Sequence, residues 1–153
     1  MATGNFFNDL ANQIKSKTES EILSIATDSM REFIPASQMT DAKRIFQVLL
    51  LAATIGVEGK KQLNAKEKRL IDDFFGDLCS DISIVYEFID QPITEKEWGV
   101  LEMFPNMGGV AVGLPLLKLI LCFAFVDGKL SNDIAEKLEN IFGIVLLGNF
   151  FNN

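Results

Sequence analysis

Residues 117–128 read LKLILCFAFVDG, and residues 48–59 read VLLLAATIGVEG. Each is an apolar run closed by an acid and a glycine. Apolarity on every side of a helix-length segment means burial rather than a half-wet surface helix. After each glycine comes a lysine (Lys60, Lys129), then a leucine (Leu63, Leu130), then a polar residue suited to capping (Asn64, Ser131). The amphipathic segments that follow end in DDFFG (72–76) and ENIFG (139–143). Each unit therefore reads as a buried helix, an acidic turn and an amphipathic helix. Two such units, at about 40–78 and 114–146, are expected to pack about a pseudo-two-fold axis and hide both apolar helices in one core.

The rest of the chain follows a helical period. Thr18-x-x-Glu21 is a capping box, opening a segment with Ile22, Ile25, Ala26, Met30 and Phe33 on one face and Pro35 as its expected stop. Ahead of it, Phe6, Phe7, Leu10 and Ile14 mark a short amphipathic helix. A third helix is expected from about Thr40 to Val57. Asn64-x-x-Glu67 opens the next, which carries Leu70, Ile71, Phe74, Phe75 and Leu78 and either continues or breaks before Ile82, Val85 and Ile89. Thr94-x-x-Glu97 caps a short helix with Trp98, Leu101 and Phe104. NMGGVAVGLP (106–115) reads as a connection, with Pro115 in the first turn of the second apolar helix. No alternating stretch or hairpin signal occurs. The fold expected is an all-α single domain over 1–153, a bundle of about seven helices. The echoed ends, GNFFND (4–9) and GNFFNN (148–153), read as Phe anchors that dock the chain termini on the body, or else as an exposed contact patch.

Composition restricts the partners. Apolar residues make up 48% of the chain and charged ones 23%, an ordinary globular balance that argues against disorder. A net charge of −7 repels phosphate backbones, so nucleic acid is not an expected partner, and the same sign favours cations and basic protein surfaces. The two cysteines, Cys79 and Cys122, form neither a CxxC pair nor a zinc spacing, which fits a reducing, cytoplasmic setting. Val110–Val126 is nearly all apolar but spans only about 25 Å as a helix, against a hydrocarbon core of about 30 Å. Lys118 lies near its middle, which favours a buried central helix over a membrane span.

The chain has no histidine, which removes the commonest general acid–base and the Ser-His and Cys-His nucleophilic pairs. What remains is oxygen chemistry at the acidic turns. Asp127, with Asp133 or Glu136 from the following helix, and Glu58 with Glu67, are the candidate ligands for calcium or magnesium. The EF-hand pattern is not met: Phe125 and Ile134 stand where it needs acids. The same residues admit a second reading, in which Asp127-Gly128 and Glu58-Gly59 are helix–helix turns, Ser131 and Asn64 are caps, and Glu67 completes a capping box.

At these residues the chain resembles the TerB-like family of tellurite-resistance proteins. That family repeats a small-x-Ala-Asp-Gly-Lys-hydrophobic-Ser pattern with a Glu in the next turn, once in each half. The second copy here is Ala124-Phe125-Val126-Asp127-Gly128-Lys129-Leu130-Ser131. The first is Ile55-Gly56-Val57-Glu58-Gly59-Lys60, followed by an insertion and then Leu63, Asn64 and Glu67. The resemblance implies a pseudo-symmetric helical bundle, a cytosolic stress or resistance role, and divalent-metal binding by the repeat acids. The chain departs from the pattern at Val57 and Val126 in place of Ala, at Glu58 in place of Asp, and at Ile134 in place of the second Glu, departures that weaken the acid set. The expectation is a non-enzymatic binding module with a protein partner. Its rivals are a metal-dependent carboxylate hydrolase and a purely structural adaptor.

Overall fold

Local capping sets the helix starts. In a computed structural model, which describes the backbone of residues 2–58, 62–127 and 130–152 and the side chains of 7–58, 62–127 and 130–143, seven helices occur and no strand. They are α1 (Ala2–Lys15), α2 (Glu19–Ser37), α3 (Ala42–Gly56), α4 (Ala65–Phe75), α5 (Ser83–Ile89), α6 (Glu95–Phe125) and α7 (Asn132–Asn152). The turn glycines Gly59 and Gly128, the lysines beside them, and the side chains of Phe6, Phe150 and Phe151 lie outside the described residues.

Both halves of the Thr18–Glu21 box form: Glu21 N–H donates to Thr18 Oγ1 and Thr18 N–H donates to Glu21 Oε1. Asp41 caps α3 by accepting from Lys43 N–H at 3.0 Å. Pro35 does not stop α2 but sits in its last turn. Proline cannot donate to the carbonyl one turn back, yet its own carbonyl accepts from Gln38 N–H, and Gln38, at φ 61°, ends the helix in the left-handed region.

The sequence between 94 and 126 folds differently from expectation. NMGGVAVGLP is not a loop; one residue, Gly109 at φ 65° and ψ −154°, interrupts α6. That conformation is open essentially to glycine alone. Helix resumes at once, so Pro115 falls inside the second half and is buried rather than in a first turn.

The core forms where expected. Residues 48–56 of α3 are all buried, as are Leu119–Ala124 of α6. The two helices touch at Gly56, where an added Cβ would stand 2.6 Å from Phe123 Cβ and 2.8 Å from the Ile120 carbonyl oxygen. Phe74, Phe75 and Phe123 form an aromatic cluster, and Phe46 reaches Phe75 edge-on. On the other side Phe33 of α2 meets Phe104 edge-on at 5.4 Å. The two repeat units differ in their packing: α7 lies along α6 and α1, whereas α4 lies chiefly against α2. By length and composition α6 is apolar enough to cross a bilayer, but 67% of its most apolar window is buried inside the protein. Lys118 is half-buried at the edge of that core.

Candidate functional site

The acidic turns are built from helix ends. At the end of α3, Val57 N–H donates to Ala53 O and Glu58 N–H to Ile55 O, a tightened last turn that carries Glu58 to the surface of the core, half-buried. At the head of α4, Asn64 Oδ1 accepts from Glu67 N–H and Glu67 Oε1 accepts from Asn64 N–H, both at 2.9 Å. This reciprocal cap holds the Glu67 carboxyl at 1% exposure. At the end of α6, Val126 N–H donates to Cys122 O, and Asp127 follows half-buried. Ser131 Oγ accepts from Ile134 N–H at 3.3 Å, capping α7.

A side-chain hydrogen bond joins the two turns. Asn64 Nδ2 donates to Asp127 Oδ2 at 3.1 Å. The cap of α4 is thereby also a ligand of the acid that ends α6.

Glu58, Glu67 and Asp127 line a single open groove of about 1190 Å³, whose far wall is the polar face of α1. Asn8, Asn12 and Lys15 form that wall, and Lys15 Nζ lies 5.7 Å from the centre of the Phe125 ring. On α7 the lining residues are Asn132, Ala135, Glu136 and Glu139, spaced as one helical stripe. Asp133, expected among the ligands, does not line the groove and is exposed. The helical period is the reason: with Ile134 and Leu138 turned into the core, residue 133 falls off the stripe that Glu136 occupies.

Among the described residues, five carboxylates and one lysine line the groove, a balance that favours cations there. Its acids are spread along the groove rather than converged. Among the described residues, no three carboxylates or thiols form a group able to enclose an ion.

Two reactive groups outside the groove are quenched. Burial pushes the Cys122 thiol up to about 12, with Lys118 pulling weakly the other way. Burial, and then the 2.7 Å hydrogen bond to Asp72 Oδ1, raise the Tyr86 phenol well above its usual range.

Sequence reasoning named the turn acids and predicted the caps that form. It missed the α1 wall, having read only the apolar face of that helix, although Asn8, Asn12 and Lys15 recur at helical spacing. Comparison with protein-family models, with curated proteins and with solved structures finds no match for this chain.

Proposed function

We propose that the chain is a non-enzymatic helical binding module whose acid-lined groove takes cationic ligands: a basic segment of a protein partner and, weakly, calcium or magnesium. The observation that carries this reading is the Asn64–Asp127 bond, which brings the acids of both turns to one groove, where Lys15 is the one cation among the described lining residues. A hydrolase of the carboxylate–metal type needs a converged ligand shell, and the spread of these acids favours binding over catalysis. The resemblance of the two turns to the tellurite-resistance family supports a cytosolic stress or resistance role, and the burial of 67% of the most apolar window of α6 fits a soluble core better than a bilayer span.

Spread carboxylates and a neighbouring lysine make for modest affinity, about 10⁻⁴–10⁻³ M for calcium. A ligand that binds only the native state stabilises by about 2.7 kcal/mol at 100 times its dissociation constant. Thermal melts in several millimolar calcium or magnesium are expected to shift upward in the native protein and to shift little in Asp127→Asn. Equal shifts in both proteins, or none in either, would leave the turns as turns and remove the cation from the reading.

A further inference from the structure

A second groove, of about 1040 Å³, lies between the end of α2, the first half of α3 and the first half of α6. It shares no lining residue with the acid-lined groove. Its wall on α6 is an apolar stripe that the fold leaves open: Val100 is 37% exposed, Met103 53% and Met107 80%. Residues three and four apart share a helix face, so these three form one continuous strip. Met39 stands across from them, which places three of the chain's five methionines on this surface.

The charges at this groove oppose the charge of the chain. The protein carries −7, yet among the described residues the groove is lined by Arg44 and Lys96 and by one acid, Glu97. Glu97 is engaged, since its Oε2 accepts from Thr94 N–H at 3.0 Å. Arg44 faces Asp41 at 3.7 Å with both side chains largely exposed, an arrangement that holds neither firmly. The floor is apolar, with Val48, Leu51 and Val112 buried beneath it.

We infer that this groove docks an amphipathic helix of a partner protein, with bulky apolar anchors one turn apart on one face and acidic residues along its flanks. Three features select that occupant. Methionine side chains are unbranched and polarisable, and they mould around anchors of varied shape. The walls are helices with no sheet edge among the described residues, so the mode is helix-in-groove rather than strand addition. The basic rim on an acidic protein is complementary to acidic flanks and unfavourable to basic ones. At physiological ionic strength the screening length is about 8 Å, so the rim charges, rather than the distant net charge, decide the sign of the preference.

The test uses the full chain labelled at its methionine methyl carbons and observed by NMR. The probes are a synthetic helix with leucines at helical spacing and glutamates elsewhere, the same helix with lysines for glutamates, and vesicles of phosphatidylcholine with phosphatidylserine. The glutamate peptide is expected to move the Met39, Met103 and Met107 methyls and leave Met30 in place. The exposed double variant Arg44→Glu/Lys96→Glu is expected to bind that peptide about tenfold more weakly and to favour the lysine peptide at the same methyls. Four results would overturn the proposal: no movement at millimolar glutamate peptide, equal response of these methyls to both peptides, a response to vesicles alone, or concentration-dependent shifts without any probe, which would make the occupant a second copy of the chain.

Discussion

Asn64 holds Asp127 through one hydrogen bond of 3.1 Å between residues 63 positions apart, so the head of α4 and the tail of α6 share a side chain. Asn64 also caps α4, so its removal has two costs that a double-mutant cycle separates. Asn64→Ala is expected to lower stability by about 1 kcal/mol through the lost cap, plus a coupling of about 0.5–1 kcal/mol that vanishes in the Asp127→Ala background. Urea denaturation of the four proteins measures it; strictly additive losses would mean that the bond contributes nothing.

Two glycines should respond in opposite directions to the same substitution. Gly56→Ala places a methyl against Phe123 and the Ile120 carbonyl and is expected to destabilise by about 1–3 kcal/mol, because backbone cannot yield cheaply. Gly99→Ala meets nothing within 4 Å on an exposed helical turn and is expected to stabilise by about 0.5–1 kcal/mol. Melting temperatures check both signs.

Leu50 and Leu121 are 4% and 0% exposed on the two central helices. Truncating either to alanine is expected to cost about 2–5 kcal/mol in denaturant titrations. A loss below about 1 kcal/mol at either position would contradict the packing described for that helix.

The two cysteines should differ sharply toward an alkylating reagent. Cys79 is half-buried and Cys122 is enclosed, with its thiol pushed up to about 12. Mass spectrometry at mildly alkaline pH is expected to find a single adduct, at Cys79, on the native protein and a second only after denaturation.

Acid should loosen the α2–α4 junction. Arg69 grips Glu19 through both guanidinium arms at 2.8 and 3.0 Å, and that hydrogen bonding holds the Glu19 carboxyl below its ordinary value. Glu21 is lowered as well, first by the backbone N–H of Thr18. A depressed folded-state value means stabilisation that is present above the ordinary glutamate range and lost as pH falls through the folded value. The melting temperature of the native protein is expected to fall between neutral pH and the lowered glutamate range more than that of Glu19→Gln. Both groups are solvent-exposed, so the difference is small. Identical pH profiles would show that the pair is neutral in stability.

The parts of the fold legible in the sequence are those written within a few residues. Thr18 with Glu21, Asn64 with Glu67, and Ser131 ahead of Ile134 are short-range signals, and each forms its cap. Burial of 48–56 and 119–124 was legible because nothing charged interrupts those runs, and the one hydroxyl in the first, Thr54, bonds the Leu50 carbonyl of its own helix. The single-residue break at Gly109 was not. A cluster of glycines beside a proline carries the same local signature as a loop, and tertiary packing of Val112 and Leu116 decides that helix resumes at once. The sequence left Asp133 and Glu136 as alternatives, and only the position of the helical stripe puts Glu136 rather than Asp133 on the groove. The Asn64–Asp127 bond is non-local and has no sequence signal at all.

The position of α6 has a consequence for the order in which the molecule opens. It packs on α1, α2, α3, α4 and α7, whereas α5 rests chiefly on α3. No neighbour can detach from the second half of α6 without exposing its apolar surface, so its amides should exchange with solvent deuterium only through global unfolding. The short α5 is held chiefly by the buried Val85 and Ile89 and by the Tyr86 hydroxyl, which bonds Asp72, and should exchange through local opening. Protection should therefore grade outward from Leu119–Ala124, with the amides of Ser83–Ile89 among the earliest to exchange.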